Sequence, residues 1–341
     1  MKVKLKEICQ IEKGKQIDTS KLNNDSYYKY INGGIKESGF YSEYNTEGET
    51  ILVSEGGASC GYVNYISERF WCGCHCYRLT DCVFYPKYIY YALKGNQDKI
   101  MALRTGAAMP NIKKSTFQEL EIKVNENIEI QQTIVHHLDT IQSAIDNKQQ
   151  QLKELDELVK SRFIEMFGDP IRNTKNFSTK KVIEVVTLQR GYDLPVQDRD
   201  LTGNIPVFGS NGILGSHSIA KINKGIITGR SGTIGEVYMC DKPFWPLNTT
   251  LFSNDTHGNN LCYLKYLLEF FDLKRFKSGV GVPTLNRNEF HGEQIIDVSL
   301  ELQNSFSDFV QQIDKSKFVV KQQIAALQEL MDSKMQEYFG D

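Results

Sequence analysis

The segment between residues 72 and 76 holds the densest set of reactive side chains in this 341-residue chain. Cys72, Cys74, His75 and Cys76 carry thiol and imidazole groups, which are the ligands that zinc prefers. Alternation along a strand would place the three thiols on one face and His75 on the other, which suits no single tetrahedral site. The segment therefore predicts a buried strand face, and we expect no bound metal.

A second pattern, Glu121-Ile122-Lys123, has the acid-x-Lys spacing of a nuclease site, which would also need a second carboxylate upstream on a strand. The chain has no motif for amino-methylation of a base, no cofactor-binding Gly-x-Gly after a strand and no Gly-x-Ser-x-Gly elbow. A His-Glu-x-x-His zinc motif is also missing. We therefore expect no catalytic residues and no cofactor.

An internal repeat defines the elements that must position any binding residue. Residues 128–169 align without a gap with residues 300–341, at an offset of 172 positions. Identities include Gln131 with Gln303 and the closing Phe-Gly-Asp of each segment, and weaker similarity continues upstream of both. The predicted parts are a first globular unit at 1–127, a first helix at 128–169, a second globular unit at 170–299 and a second helix at 300–341.

Both repeated segments carry apolar residues at alternating steps of four and three, the heptad spacing of a coiled coil. No Pro or Gly interrupts either run, and Gly168 and Gly340 stand where helix-ending glycines belong. Two separate amphipathic helices, each packed on its own unit, are the alternative, but the match between the copies favours mutual packing. The predicted helix-pair interface consists of Ile134, Leu138, Ile141, Ile145, Leu152, Leu155, Val159, Phe306, Val310, Ile313, Val320, Ile324, Leu327 and Met331.

An antiparallel pairing of these helices would let the tandem chain close on itself with internal pseudo-twofold symmetry. A helix of about 40 residues is roughly 60 Å long, and its seam, the stretch with heptad-spaced apolar residues, is roughly 39 Å long. These two lengths correspond to about 12–17 base pairs of DNA. Centring the two seams would bring Lys148 and Lys317 together. Either the register shifts, or Asp146 and Asp314 neutralise the two lysines.

Each globular unit combines short, Gly-punctuated strands with one helical stretch, at residues 86–93 and 262–271. The predicted fold class is α+β, with two similar domains in tandem and two long antiparallel coiled-coil helices. Residues 1–127 hold 17 basic against 15 acidic residues, and residues 170–299 hold 15 against 12. The two helical segments hold 4 against 8 and 4 against 7, so the formal net charge of −2 averages mildly basic units with acidic helices.

Two Gly-containing segments recur in both units. Residues 54–61 correspond to 229–235 and could bring backbone N–H groups close to a phosphate, although a tight hairpin explains them equally well. At residues 104–114 and 277–287, a cation, a hydroxyl and Gly lead to an amide and further cations, which fits phosphate positioning and base-edge readout. A solvated basic face is the simpler alternative. The candidate DNA-binding residues are Lys13, Lys15, Asn32, Ser54, Ser59, Arg104, Thr105, Asn111, Lys113, Lys114, Arg190, Asn211, Arg230, Ser231, Thr233, Lys277, Ser278, Asn286 and Arg287.

This alternation of two diverged units with two near-identical heptad helices resembles the specificity (S) subunits of type I restriction-modification systems. The most specific parts are the Gly-to-Pro stretches at residues 105–112 and 278–285, the Gln near each helix start and the Phe-Gly-Asp at each helix end. The family often has a Pro pair and Glu-Gln before the helix. This chain instead has Asn-Ile-Glu-Ile-Gln at 127–131 and Ser-Leu-Glu-Leu-Gln at 299–303.

The resemblance implies that each unit is a target recognition domain that reads one half of a bipartite double-stranded DNA target, with the helices acting as the spacer. It also implies that two methyltransferase (M) subunits dock along the helices and domains. Restriction (R) subunits would complete the complex, and all catalysis would belong to these partners.

Two other functions stay open: the specificity component of a related bifunctional restriction-modification system, and a coiled-coil scaffold whose units bind protein or carbohydrate. No signal-peptide core is present at the start, and nowhere do 18 apolar residues run together. We therefore expect a cytoplasmic protein without a membrane partner. Six of the eight cysteines precede residue 83 and are expected to be thiols in a reducing compartment.

Overall fold

The computed structural model describes residues 1–106, 108–200, 202–279 and 281–340. One residue of each Gly-to-Pro stretch and the last residue of the second Phe-Gly-Asp lie outside the described residues, as does Leu201. The chain divides into two compact units. Unit 1 comprises Met1–Gln149 and Lys321–Asp341, and unit 2 comprises Gln150–Val320. Each unit therefore contains one strand-rich domain and a part of both long helices.

In unit 1, a four-stranded sheet of order β2-β8-β5-β6 stands beside a three-stranded sheet of order β4-β3-β7, and β1 pairs with β9. The strands are β1 Lys2–Lys4, β2 Gln10–Lys13, β3 Tyr28–Ile31, β4 Gly39–Tyr41, β5 Thr50–Ser54, β6 Val63–Ile66, β7 Phe70–Cys72, β8 Cys76–Thr80 and β9 Glu121–Lys123. The α-helices are α1 Leu5–Ile8, α2 Pro86–Gly95, α3 Gln97–Ala102, α4 Lys114–Gln118 and the long α5 Ile128–Phe167, whose first part belongs to this unit.

In unit 2, the four-stranded sheet has the order β11-β17-β14-β15 and the three-stranded sheet the order β13-β12-β16, while β10 pairs with β20 and β18 with β19. The strands are β10 Ser178–Lys181, β11 Thr187–Arg190, β12 Ile205–Gly209, β13 Gly212–His217, β14 Gly225–Gly229, β15 Val237–Cys240, β16 Trp245–Pro246, β17 Thr250–Asp255, β18 Lys277–Ser278, β19 Thr284–Leu285 and β20 Gln294–Asp297. The α-helices are α6 Val182–Val185, α7 Leu261–Phe270, α8 Arg287–Phe290 and the long α9 Leu300–Phe339.

The central strands are apolar on both faces because both faces are covered. In β5, Ile51 and Val53 pack in the core cluster that includes α2, whereas Leu52 packs with residues of the three-stranded sheet. In β14 of unit 2, Ile226 and Ile227 divide between two clusters in the same way. The two units thus share one architecture, and the α+β prediction is confirmed by the structure.

The long helices each have 40 residues and occupy equivalent positions of the repeat. Within unit 2 they run antiparallel, since Phe163 contacts Phe306 with ring centroids 5.5 Å apart while Asp156 binds Lys317. Within unit 1, Nδ1 of His137 lies 3.0 Å from the hydroxyl of Tyr338. The helices therefore pack on each other in both units.

All the residues of the predicted helix-pair interface are buried or half-buried. Ile134 and Leu138 also belong to the core of the unit 1 domain, and Val159, Phe306 and Val310 to that of unit 2. Mutual pairing and packing on a domain, set out above as alternatives, thus occur together. Lys317, at the seam of α9, has an acidic partner on each helix: its Nζ lies 2.5 Å from Asp156 of the facing helix and 3.7 Å from Asp314 of its own. Asp314 was named above as a neutralising residue, whereas the nearer partner, Asp156, was not predicted.

The repeated glutamine near each helix start is buried and ties the helix to its domain. Oε1 of Gln131 accepts a hydrogen bond from the Tyr85 backbone N–H at 3.0 Å, just before α2. Oε1 of Gln303 accepts one from the Asn260 N–H at 2.9 Å, just before α7. The side-chain amides of Gln131 and Gln303 are themselves buried and need hydrogen-bond partners, so these bonds give the repeated glutamine a structural role.

The cysteine-rich segment is not a strand face, and that expectation was wrong. Gly73, Cys74 and His75 form the turn between β7 and β8, so Cys72 and Cys76 lie at the ends of different strands. β7 pairs with β3 and β8 with β5, and this separation requires a turn. In the described residues, no group of three His, Cys, Asp or Glu is placed to hold a metal ion, and no helix is long and apolar enough to cross a membrane.

We expect His291 to make the stability of unit 2 dependent on pH. Its Nε2 accepts a hydrogen bond from the Leu188 backbone N–H at 3.2 Å, which requires a neutral ring. Burial, and then the charge of Arg287, hold the pKa of His291 below its ordinary value of 6.5. Because the unfolded chain has the higher pKa, it takes up the proton first as the pH falls. Stability is therefore expected to be full above pH 6.5 and to decrease as the pH falls from there through the lower folded pKa.

Thermal unfolding measured from about pH 7.5 to 5 checks this expectation against His291→Gln, whose Oε1 can still accept the bond but does not titrate. The Tm of the native protein should fall more steeply with acid than that of the variant. Parallel pH profiles of the two proteins would contradict the assignment to His291.

Candidate nucleic-acid interface

The two Gly-containing segments singled out in each unit lie side by side. We call residues 54–61 and 229–235 the glycine turns, and residues 105–111 and 278–284 the Gly/Pro loops. In unit 1, the Gly57 N–H donates to the Pro110 carbonyl at 3.0 Å and the Ile112 N–H to the Glu55 carbonyl at 2.8 Å. The glycine turn and the Gly/Pro loop, which are about 50 residues apart in sequence, thus form one surface.

Unit 2 has the same contact, made by equivalent hydrogen bonds. The Gly232 N–H donates to the Pro283 carbonyl at 3.0 Å, and the Leu285 N–H donates to the Arg230 carbonyl at 2.8 Å. Isolated β-bridges join Gly56 to Asn111 in unit 1 and Ser231 to Thr284 in unit 2. The equivalence therefore rests on backbone geometry and does not depend on side-chain identity.

Each Gly/Pro loop is closed by its own ends. In unit 1, the Thr105 and Asn111 backbones exchange two hydrogen bonds of 2.9 Å, and the Thr105 hydroxyl lies 3.2 Å from Oδ1 of Asn111. In unit 2, β18 pairs with β19, so Ser278 faces Thr284. Gly106 and Gly279 follow with φ of +91° and +96°, a conformation that side chains other than Gly rarely adopt. The cation-hydroxyl-Gly pattern of the sequence thus marks the base of each loop, where its two ends are hydrogen-bonded to each other.

A basic residue stands at the same place beside each glycine turn. Lys13 ends β2 and Arg190 ends β11, and each is followed by a Gly whose N–H donates to the first residue of the neighbouring strand at 3.1 Å. Nζ of Lys13 lies 2.7 Å from Oε1 of Glu55. Arg190 has a more distant ion pair, at 3.8 Å from Asp193.

A cavity of about 510 Å³ in unit 1 brings several of these side chains together. Lys13, Asn32 and Asn111, all predicted from sequence, line it together with Glu55 and His75. Its walls therefore combine a cation, an anion, two amides and an imidazole, a set that can offer both donors and acceptors to a base edge. Glu55 and His75 were not predicted, although Glu55 lies within the glycine turn that the sequence had already singled out.

All the candidate DNA-binding residues except Ser54 are exposed or half-buried, so their side chains are accessible to a ligand. Ser54 is buried, with only 4 % of its surface exposed, because it ends the central strand β5. Its side chain cannot reach DNA, so the prediction of Ser54 as a DNA contact was wrong. The exposed candidates are Lys13, Lys15, Arg104, Thr105, Asn111, Lys113, Lys114, Arg190, Asn211, Thr233, Lys277, Ser278 and Asn286. The half-buried candidates are Asn32, Ser59, Arg230, Ser231 and Arg287.

Besides Asn111, two more of the predicted amides have local structural partners. Oδ1 of Asn286 accepts a hydrogen bond from the Asn288 N–H at 3.1 Å and caps α8. Nδ2 of Asn32 contacts Gln16, and Oδ1 of Asn32 accepts from the His75 N–H at 3.1 Å. Sequence reasoning missed Ser210, whose side chain lies against Gly229 and Gly232 of the second glycine turn. Only the tertiary contact reveals it, since no local pattern marks this serine.

The family model of the type I restriction modification DNA specificity domain matches residues 1–157 and 174–329. A putative type I specificity subunit of Mycoplasma genitalium is 25% identical over 358 aligned positions, covering 98% of this chain and 92% of that protein. A second putative specificity subunit, from Mycoplasma pneumoniae, is 36% identical over 154 residues, covering 44% of this chain and 40% of the relative.

Solved structures share the fold. The S subunit of a type I system from M. genitalium aligns with a TM-score of 0.64 at 23% identity, covering 100% of this chain and 96% of that one. A chain from a structural study of complex assembly and conformational transition in the type I R-M system aligns with a TM-score of 0.61 at 12% identity, covering 99% and 97%. Since the family model matches both units, this chain belongs to the type I restriction-modification DNA specificity family and is a specificity subunit with two tandem recognition domains.

Proposed function

We propose that the first domain, at residues 1–127, and the second, at residues 170–299, each read one half of a bipartite double-stranded DNA target. The observation that carries this proposal is the surface that recurs in both units, where a glycine turn and a closed Gly/Pro loop are joined by the same backbone bonds. Exposed cations and amides surround both copies. Cations position a phosphate backbone and amides read base edges, so two copies of this surface suit a target with two half-sites.

The same proposal assigns the chemistry to partner subunits. Two M subunits would dock along the helices and domains and methylate adenine with S-adenosylmethionine, and R subunits would add ATP-dependent cleavage and translocation. Exposed apolar residues recur at repeat-equivalent positions, Leu158 with Leu330 and Ile128 with Leu300. A surface present twice suits two copies of one partner. The protein alone would then bind DNA weakly and gain affinity with its methyltransferase.

The helices would set the gap between the half-sites. Removing one heptad from both helices, residues 146–152 and 318–324, shortens each by about 10 Å and keeps the seams in phase. We expect methylation-motif sequencing of cells carrying the complete system to show both half-sites unchanged and the gap altered by roughly 3 base pairs.

Variants with only one shortened helix serve for comparison: their seams stay in phase but the two helices differ in length, and we expect their gap preference to change as well. An unchanged gap in the doubly shortened variant would contradict the spacer role. A native complex that leaves no two-part methylation motif would contradict DNA recognition itself and would favour a scaffold that binds protein or carbohydrate.

A further inference from the structure

Glu55 of unit 1 and Arg230 of unit 2 occupy the same structural position with opposite charges. The Glu55 N–H donates to the His75 carbonyl, and the Arg230 N–H to the Thr249 carbonyl, both at 2.8 Å. The carbonyls of Glu55 and Arg230 themselves accept from the N–H groups of Ile112 and Leu285, which follow the two Gly/Pro loops, again at 2.8 Å. Since each backbone is held at both ends by matching bonds, the two side chains start from equivalent points beside the candidate interface.

In unit 1 the carboxylate of Glu55 is held in a fixed orientation. Its Oε1 accepts from Nζ of Lys13 at 2.7 Å and lies 3.2 Å from the Tyr77 hydroxyl, whose shorter hydrogen bond, of 2.9 Å, goes to the Ile112 carbonyl. Only 13% of the side chain is exposed, and it lines the cavity with Asn32 and Asn111. An ionised carboxylate accepts hydrogen bonds and donates none. Fixed in this way, Glu55 presents an acceptor to whatever enters the cavity.

In unit 2 the two equivalent positions hold two cations. Arg190 replaces Lys13 at the strand end, and Arg230 replaces Glu55 in the glycine turn. Nε of Arg230 donates to the Asn248 carbonyl at 2.8 Å, which fixes one edge of the half-buried guanidinium. The fork of an anchored guanidinium presents donors only. The ion pair of unit 1 is therefore replaced by a pair of arginines in unit 2.

We propose that Glu55 and Arg230 are the equivalent base-reading residues of the two recognition domains. Glu55 selects a base that donates a hydrogen bond, whereas Arg230 selects a base that accepts hydrogen bonds. A carboxylate accepts from an exocyclic amino group, N4 of cytosine or N6 of adenine, whereas a guanidinium donates to O6 and N7 of guanine. Glu55 thus selects a base with a major-groove amino group in one half-site, and Arg230 selects guanine in the other. This inference rests on the proposed function, because it assumes that each domain reads one half-site.

The test uses the complete complex with three variants: Glu55→Gln, Arg230→Gln and the control Glu47→Gln. Glu47 is an exposed acid of unit 1 that pairs with Arg69 at 2.8 Å, so its replacement removes the same charge away from the cavity. Binding is measured by competition, with oligonucleotides changed at one base pair at a time. Glu55→Gln should lose discrimination about tenfold or more at one position of one half-site, Arg230→Gln should do so in the other half-site, and Glu47→Gln should leave every position unchanged.

The base required at the altered position distinguishes cytosine from adenine as the partner of Glu55. If Glu55→Gln weakens binding to all sequences equally and lowers the Tm, the Lys13 and Glu55 pair is structural only and the inference is overturned. Changes in the same half-site for Glu55→Gln and Arg230→Gln overturn it as well. The proposed function fails by a different result, in which the native complex discriminates at no position of either half-site.

Discussion

Replacing Phe306 by alanine is expected to destabilise unit 2 by roughly 3–5 kcal/mol, the usual cost of deleting a buried phenyl ring. Phe306 is fully buried on α9, and its ring centroid lies 5.5 Å from Phe163, 5.6 Å from Phe167 and 5.3 Å from Tyr266. These partners come from α5 and α7, so one side chain links both long helices to the domain. Equilibrium unfolding in denaturant, followed by circular dichroism, measures the loss.

Leu158→Ala is the matched control, because Leu158 lies on α5 with 46% of its surface exposed. Its replacement should change the free energy of unfolding by no more than about 0.5 kcal/mol. The repeat equivalent of Phe306 is Ile134, which is also buried, in the core of unit 1. Equal losses for Phe306→Ala and Leu158→Ala would refute the role given to this cluster.

Neutralising Lys113 and Lys114 together should weaken DNA binding by the complete complex by on the order of 10–100-fold at 0.1 M salt. Both lysines are exposed and lie just after the first Gly/Pro loop and Ile112, at the start of α4. Each phosphate contact contributes about 0.9 to the slope of log K against log salt. The Lys113→Gln/Lys114→Gln variant should therefore show a slope smaller by about 1.8, with little change in base preference.

The charge-conserving variant Lys113→Arg/Lys114→Arg separates charge from structure. It should keep the native salt slope, since both cations remain. If the Gln variant binds with the native slope, these lysines do not contact phosphate. If the Arg variant loses as much affinity as the Gln variant, the effect belongs to local folding of the loop.

The helices could be predicted from sequence because their signal is local and repeated. Apolar residues at heptad spacing define α5 and α9, and the helices begin at the equivalent residues Ile128 and Leu300. Which residues of each helix pack into a domain core could not be predicted in the same way. Phe163 and Phe339 near the helix ends pack into domain cores, and that depends on which surfaces the rest of the chain offers to them.

The cysteine-rich segment shows how a local pattern can mislead. Alternation of Cys72, Cys74 and Cys76 is typical of one strand face, yet the structure has a turn at residues 73–75. β7 pairs with β3 in one sheet and β8 with β5 in another. A period of two cannot reveal such a change of partner, because strand pairing joins residues that are far apart in sequence.

By itself the sequence determined the repeat, the two long helices, the α+β class, the family and most of the exposed polar residues of the two Gly/Pro loops. Only the tertiary structure brought each glycine turn against its Gly/Pro loop, buried Ser54 and set Glu55 at the position of Arg230. The physical reason is the range of the interactions. Helical period and turn-forming glycines act over a few residues, whereas the loop contacts join residues about 50 positions apart and form only when the sheets and helices between them have packed.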